Sequence, residues 1–565
     1  MRKYFVLFTL IAILAISASG WTFDPSLALN AIDSDLSMGK ISVDQAVLYK
    51  AYALAKGSLL PSRYQNEQSI SHWFCATPIL ISLKEDLAKV SPQAASEVKN
   101  IFWPTNQKGS VTKNGPKKSD NPQTIPLPNV VYTDHFALRY GNDHPGFEQS
   151  DVEAFGVVME TVWNIECNQW GYGDIYDSDL YYVDLYIANT GDGAPTMNFV
   201  GAYTTTYNDY MPYMVFHPQV VGSEEMMEDT GSHEFFHCNQ DTIAAEGCFH
   251  LMNSYDNLWW IEGSAAWAED EAYPDLNYYH YFIDPYAQSP EEALNVVTNN
   301  YNLYYSRVIF MKYLSENFGG RDSIYDILHL CLNTVVMQVE DYLQSNSSSL
   351  PQAYPDFMAH NIKKDYVDGA IYPNFKIHKT YSSYPVFQTV NSGATKPHFL
   401  GANNIKFNPP GSSDKINFYF HGQEELNNKP VEWAPVLLLD NSDSTYSVQP
   451  ITLDSNKKGT VSINDFGGDI KKIYLIVAPI SDRDADSTLN YHYQATLGDD
   501  PFAPEDDDTA DDDIDDDATD DDAVDDDTTV DDDASADDDD SSPQTDDDQA
   551  TGESSGNNNN NGCGC

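Results

Sequence analysis

His233-Glu234-Phe235-Phe236-His237 is the stretch that most restricts how this chain can fold. Two histidines four residues apart share one face of an α-helix, from which both imidazoles can reach a single metal ion. Zinc accepts imidazole nitrogen and keeps one position for water, and a glutamate beside the first histidine is placed to take a proton from that water. The pentapeptide therefore points to a zinc hydrolase, with His233 and His237 as ligands and Glu234 as general base.

Such a site needs a third protein ligand. Glu262 lies in Leu258-Trp259-Trp260-Ile261-Glu262-Gly263-Ser264-Ala265-Ala266-Trp267-Ala268-Glu269, a carboxylate among apolar and small residues. Ala265, Ala266 and Ala268 favour a helix that packs closely on the first one, and these surroundings suit a carboxylate held at a buried ion. Asp241, Glu246 and His250 are the other candidate ligands.

The segment resembles the W-x-x-E-G-x-A-x-x-x-E pattern that follows H-E-x-x-H in gluzincin metallopeptidases. The metzincin pattern does not fit, because Gln240 stands at its glycine and Ile243 at its third histidine. His233 to His237 followed by Trp260 to Tyr273 is also similar to a group of secreted metalloproteases of myxobacteria and related bacteria, over about Ser42 to Tyr493. Two departures stand out: Cys238-Asn239-Gln240-Asp241 replaces an apolar continuation, and Ala266 occupies the place of an aspartate that orients the histidines in thermolysin-type enzymes. The resemblance implies one zinc ion, a protein or peptide substrate, endopeptidase activity and an oxyanion donor. The donor is a tyrosine ahead of a helix ending in Gly, matched by Tyr304-Tyr305 before Gly319-Gly320. Counting back from the glycines favours Tyr304 and the secreted group favours Tyr305; Tyr305 is taken here, although most of the chain's 37 tyrosines are expected in the core. An aminopeptidase would carry a G-x-M-E-N-like segment upstream of His233, and none is found. A surface-binding protein with a vestigial site is opposed by the intact His, Glu and His.

At 565 residues the chain is too long for one core, so two or three domains are expected. Arg2-Lys3, an apolar run from Tyr4 to Ile16 and Ala18-Ser19-Gly20 read as a Sec export signal cleaved before Trp21, which implies a secreted or cell-surface protein. No other apolar run reaches the length of a transmembrane helix. The net charge is −57, and the stretch from Asp499 onward holds 29 acidic and no basic residues, about half of that charge. A polyanion of this kind cannot bury enough apolar surface to fold, so 499–565 is expected to be disordered. Ca²⁺ is the ion such a run would attract, yet it lacks the glycines and spaced ligands of an EF-hand or RTX repeat, and an extended spacer is the plainer reading. The acidity disfavours nucleic acid.

Seven cysteines in an exported chain suggest disulfides. Cys238 and Cys248 are spaced to close a loop, which leaves one of Cys75, Cys167 and Cys331 unpaired. A Cys75 thiolate capping the zinc would be a latency device, set against the plainer readings of a disulfide or a buried thiol. Asn557 to Asn561 before Gly562-Cys563-Gly564-Cys565 resembles the ends of exported deltaproteobacterial proteins and brings in surface association through the tail, though without the hydrophobic helix and basic cluster of known sorting tails.

The expected organisation is α+β. After the signal (1–20), a helical N-terminal region (21–103) holds a helix from Ser42 to Gly57, with Ser42 and Gln45 as capping box, and another from Pro92 to Phe102 capped by Ser91. A linker (104–128) leads to a gluzincin-like peptidase domain (129–383); the N-terminal region is thus either a propeptide or an accessory lobe. In that domain His135 to Tyr140, Tyr181 to Ile187 and Tyr213 to Phe216 read as strands. Ser150 and Glu153 cap a helix bearing Val152, Phe155, Met159 and Val162, and an edge strand beside the cleft is expected to pair with an extended peptide. Helices dominate from Glu262 to about Leu343, with Ser289-Pro290 as one start. An all-β sandwich (384–498) follows, with strands at Ile416–Phe420, Val436–Leu439, Val461–Ile463, Ile473–Val477 and Leu489–Tyr493, before the acidic tail (499–565). Removing the tail is expected to leave fold and activity nearly unchanged, because a polyanionic spacer makes few contacts. Thermal melts of full and truncated chains check this, and a large fall in melting temperature would show that the tail docks.

Overall fold

A computed structural model of the chain describes residues 25–65, 74–103, 118–208, 210–296, 298, 302–392, 395–411, 414–480, 487–499 and 502. The expected export signal, most of the 104–128 linker and the tail beyond 502, with Cys563 and Cys565, lie outside these residues. Helix and strand are mixed, 41% and 21%, as an α+β chain requires. No helix among the described residues is long and apolar enough to cross a membrane.

The N-terminal region holds α1 (Pro25–Ser37), α2 (Val43–Ala55), β1 (Phe74–Cys75), α3 (Thr77–Asp86) and α4 (Pro92–Phe102). Ser42 closes the capping box of α2: its hydroxyl accepts from the Gln45 amide at 3.2 Å and its own amide donates to Gln45 Oε1 at 3.0 Å. Ser91 caps α4 by accepting from the Ala94 amide at 3.3 Å. Ala28, Ile32, Ile41, Ala46, Ala53, Leu60 and Tyr64 form a small core of their own. Ile79, Leu80 and Leu83 of α3 instead join the main core of the molecule.

The next segment contributes β2 (Asn129–Tyr132), β3 (Phe136–Tyr140), α5 (Gln149–Trp163), β4 (Val183–Ile187), β5 (Gly201–Thr206), β6 (Pro212–Phe216), α6 (Pro218–Val221) and α7 (Glu224–Ala245). Its strands make one sheet in the order β1-β5-β6-β4-β3-β2. β3, β4 and β6 run parallel and are buried along their whole length, which accounts for their continuous apolar character. The sequence pattern did not reveal β1, β2 or β5, the last of which, Gly201-Ala202-Tyr203-Thr204-Thr205-Thr206, lacks a clean alternation. α5 buries Val152, Phe155, Met159 and Val162 as its periodicity indicates. It starts earlier than Ser150, however: Glu148 is the N-cap, its amide donating to the Asp151 carboxylate at 2.7 Å, so Ser150 falls inside the first turn.

Then come α8 (Leu258–Ala272), α9 (Asp284–Gln288), α10 (Asn302–Tyr305), α11 (Val308–Asn317), α12 (Asp322–His329), α13 (Val335–Ser345) and α14 (Leu350–Lys363). Ser289-Pro290 opens a turn rather than a helix, because the Ser289 hydroxyl donates back to the Pro285 carbonyl at 2.7 Å and finishes α9. Helices continue past Leu343 to Lys363, where Ser349-Leu350-Pro351 restarts one. Cys248 is disulfide-bonded to Cys331, 83 residues on, and not to Cys238, which stays a buried thiol within α7 alongside buried Cys75 and Cys167.

The C-terminal strands are β7 (Lys379–Tyr381), β8 (Val386–Val390), β9 (Asn403–Phe407), β10 (Asp414–Gly422), β11 (Glu425–Leu426), β12 (Lys429–Pro430), β13 (Val436–Asn441), β14 (Tyr446–Pro450), β15 (Lys458–Phe466), β16 (Ile470–Val477) and β17 (Tyr491–Leu497). All but the β11–β12 pair join one nine-stranded, nearly closed sheet. Its two halves, β14-β13-β16-β9-β7 and β15-β10-β17-β8, connect through the single pair Phe466 and Ile470. They share a core in which the Phe407 and Phe418 rings meet edge-on at 5.0 Å. Along β13, Leu437 and Leu439 point into that core, while Val436 and Leu438, with Ile476 of β16, belong to the main core with the helices. The change from helix to strand near 384 is thus crossed by continuous apolar packing, and the described residues make one compact unit. Ile476→Ala is expected to cost about 2–5 kcal/mol and to shift a single unfolding transition of helices and strands together. Denaturant unfolding followed by circular dichroism checks it, and two separate transitions would contradict the shared core.

Candidate metal centre

α7 is capped by Ser223 and runs beneath β5 and β6, with nearly every residue from Met226 to Ala244 buried. His233 and His237 lie one turn apart on it, and α8 crosses beside it to bring in Glu262. On its other side α8 packs closely on α11, where Gly263 permits the approach: a Cβ there would lie 3.2 Å from the backbone carbon of Arg307 and 3.1 Å from Met311.

The Nε2 atoms of His233 and His237 are 3.2 Å apart. Glu262 Oε2 is 3.4 Å from His233 Nε2 and Oε1 is 3.4 Å from His237 Nε2, yet neither oxygen accepts a hydrogen bond. A fourth atom completes the group, since Cys75 Sγ of β1 is 3.6 Å from His237 Nε2. Zn–N and Zn–O bonds near 2.0–2.1 Å and a Zn–S bond near 2.3 Å, set tetrahedrally, give N···N edges of about 3.3 Å and N···S edges of about 3.6 Å. The observed separations match those edges, and all four ligand atoms lie within 4.8 Å of one another. Buried carboxylate oxygens with no hydrogen-bond partner are suited to ligating a cation. Asp241, Glu246 and His250 are not in this group; Glu246 is exposed at the end of α7.

The histidines are oriented by two residues the sequence reading left without a role. His233 Nδ1 donates to Glu269 Oε1 at 2.5 Å, and His237 Nδ1 donates to Gln240 Oε1 at 2.7 Å. Gln240 cannot be turned round, because its amide nitrogen donates to the Ile261 carbonyl at 3.0 Å and to Ser264 Oγ at 2.9 Å. Each Nδ1 must therefore carry the proton, leaving the Nε2 lone pairs for the ion. Ala266 leaves this task to Glu269, seven residues after Glu262 and two turns along the same face of α8. That glutamate is the last residue of the W-x-x-E-G-x-A-x-x-x-E pattern, so its signal was present; Gln240 sits in the departure after His237.

Burial alone would push both imidazoles down. For His233 the neighbouring Cys75, Glu262 and Glu269, and for His237 the charge of Glu262 and Cys75, more than reverse this and hold both well above the usual value. Burial raises Glu262, but the neighbouring His237 and His233 bring it down to about 2. Without an ion, protons thus supply the positive charge that this nest of anions demands.

Glu234 lies beside the cradle and outside it. Its Oε2 accepts from Thr204 Oγ1 at 2.7 Å, while Oε1 has no hydrogen-bond partner. Tyr305 donates its hydroxyl to the Cys75 carbonyl at 3.0 Å, with its ring 6.0 Å from that of His233. Burial, then the charges of Glu262 and Cys75, raises this phenol well above its usual value and keeps it a donor. Tyr304 instead turns its hydroxyl to the Thr298 backbone, donating to the carbonyl at 2.6 Å. Cys75, Asp229, Thr230, His233, Glu234, Glu269, Phe282 and Tyr305 line a cavity of only ≈ 20 Å³.

Residues 129–494 match the model of a family of unknown function (DUF6055). No curated protein matches the chain. A solved family GH115 4-O-methyl-α-glucuronidase, BtGH115A, described as specific for decorated arabinogalactans, aligns at 8% identity with a TM-score of 0.13 over 56% of this chain and 51% of that one. The chain spans about half the length of that structure, and so slight a likeness bears on neither fold nor chemistry. Glu269→Ala and Gln240→Ala are each expected to weaken metal binding about 10–100-fold, read by competition with a chelator. Unchanged affinity in both would remove their assigned role.

Proposed function

The chain belongs to the family of unknown function DUF6055, and we propose that it is an exported zinc endopeptidase of gluzincin type. His233, His237 and Glu262 hold the ion, Glu234 is the general base and Tyr305 the oxyanion donor. The observation that carries this reading is Glu234: a buried carboxylate beside the cradle, fixed through one oxygen by Thr204 and presenting the other, unpaired, beside the cavity. A purely structural ion has no use for such a group.

The two imidazoles, carboxylate and sulfur suit zinc. When bound, zinc supplies Lewis-acid activation of water and of a peptide carbonyl. Glu234 takes the proton at Oε1 and passes it to the leaving amine, held in place by Thr204. Tyr305, kept protonated, donates to the oxyanion as it forms. An extended peptide would lie along β5, adding a strand to the sheet. The rival reading is a structural zinc site, favoured by the fact that four protein atoms close the sphere.

Glu234→Gln separates the two. It is expected to lower peptide hydrolysis about 10²–10⁴-fold while about one zinc per chain remains by elemental analysis. His233→Ala/His237→Ala is expected to lose the metal. Hydrolysis unaffected by Glu234→Gln would sink the peptidase reading, and zinc undiminished in the double variant would sink the site.

A further inference from the structure

Resting on the peptidase reading, we propose that the segment from Phe74 to Asp86 holds the site shut in the intact chain. Cys75 closes the coordination sphere through its sulfur and occupies Tyr305 through its carbonyl, and hydrolysis begins only when this segment is withdrawn.

Four independent contacts place the segment where a substrate would have to lie. First, Cys75 Sγ completes a group of four ligand atoms, and a sphere of four protein ligands leaves no position for water or substrate. Second, β1 covers the edge of β5: Phe74 pairs with Gly201 and Cys75 with Ala202, and the Ala76 amide donates to the Ala202 carbonyl at 3.0 Å. An extended peptide adding to β5 would need those same backbone groups. Third, the hydroxyl assigned to the oxyanion is spent on the Cys75 carbonyl. Fourth, Thr77 Oγ1 reaches to 3.4 Å from Glu234 Oε2, so the segment touches the base as well. The remaining cavity, ≈ 20 Å³, has room for about one water and not for a peptide.

The origin of these contacts matters. His233, Glu234, His237, Glu262, Glu269 and Tyr305 all lie within the matched residues 129–494, whereas Cys75 lies outside them. The N-terminal helices α1 and α2 have a small core of their own, while Leu29, Val47, Ala51 and Leu54 also join the main one. α3 is nevertheless docked firmly, with Ile79, Leu80 and Leu83 buried in the main core. Local fluctuation is therefore a poor route to opening, and a cut between α4 and β2 is the effective one. The chain beyond stays anchored, since Asp120 pairs with Arg139 at 2.6 Å and Thr124 donates to Asp184 at 2.5 Å. Withdrawal breaks one sulfur–metal bond, the thiolate takes a proton from solvent, and no electron is transferred.

The test uses the full chain loaded with zinc alone. X-ray absorption at the zinc edge is expected to show one sulfur at about 2.3 Å in the intact protein. The sulfur should be absent in Cys75→Ala and Cys75→Ser, of which the serine variant guards against a packing defect. When the intact chain is cut between α4 and β2, loss of sulfur and at least a tenfold rise in hydrolysis of an unfolded protein substrate are expected to follow the same time course. A sulfur-free sphere in the intact chain, or full hydrolysis with sulfur still bound, overturns the proposal. Sulfur present when intact and lost on cutting, with no hydrolysis at any stage, overturns the peptidase reading and latency with it, and leaves the sulfur ligation standing.

Discussion

Charge buried between α7 and α8 is the constraint around which the rest of the molecule is arranged. His233, Glu234, His237, Glu262 and Glu269 are each no more than 5% exposed. Removing a carboxylate from water costs several kcal/mol unless it is paired, and two neutral imidazoles cannot balance three carboxylates. Both imidazoles are accordingly raised well above their usual value by Cys75 and the carboxylates around them, and both oxygens of Glu262 are buried without a hydrogen-bond partner. One divalent cation resolves both at once. It also explains why α7 tolerates a polar sequence at the centre of the protein: His233, Glu234, His237, Asn239, Gln240 and Asp241 sit on a helix that the sheet, α5 and α8 enclose.

The parts of this arrangement that obey a local rule were legible in the sequence. The spacing of His233 and His237 requires a helix and a helix is found; Ser42 and Gln45 announce a capping box and form it; α4 begins and ends where Ser91-Pro92 and Phe102 indicate. Glu262 was reachable because a carboxylate among small and apolar residues has few other uses. What escaped notice depends on partners far along the chain. Glu269 and Gln240 acquire their roles only when α8 is laid across α7; a Cys75 cap was one of the readings open in the sequence, but its placement at the centre depends on a two-residue strand 162 residues before His237. The pairing of Cys248 with Cys331 is equally nonlocal, so the nearer Cys238 was a reasonable but mistaken partner. The choice between Tyr304 and Tyr305 was beyond sequence as well, because adjacent residues on one short helix differ only in which neighbour each hydroxyl meets.

β5 links the catalytic reading to the architecture. It is the last strand of the sheet before β1, its Thr204 fixes Glu234, and its outer edge is the one on which an extended chain can add. An unpaired edge next to a buried metal is an exposed row of donors and acceptors. In the intact chain β1 satisfies the start of that row, at Gly201 and Ala202, and does so with a residue whose side chain and carbonyl both address the centre. Edge protection and occupation of the centre are therefore performed by the same few atoms.

This union sets two demands against each other. Four protein ligands would neutralise and shield a buried ion, which favours a stable fold, whereas the proposed hydrolysis requires one of them to leave. His233, His237 and Glu262 cannot be the one, since each is rooted in α7 or α8 and the histidines are held from behind by Glu269 and Gln240. Cys75 has no such partner behind it: apart from the imidazoles at the centre, its sulfur accepts the Thr77 amide at 3.4 Å, within its own segment. Cys75 is also the one ligand of the four that lies outside α7 and α8, on the segment proposed to withdraw, so if any ligand yields, the physical ordering of restraints selects Cys75.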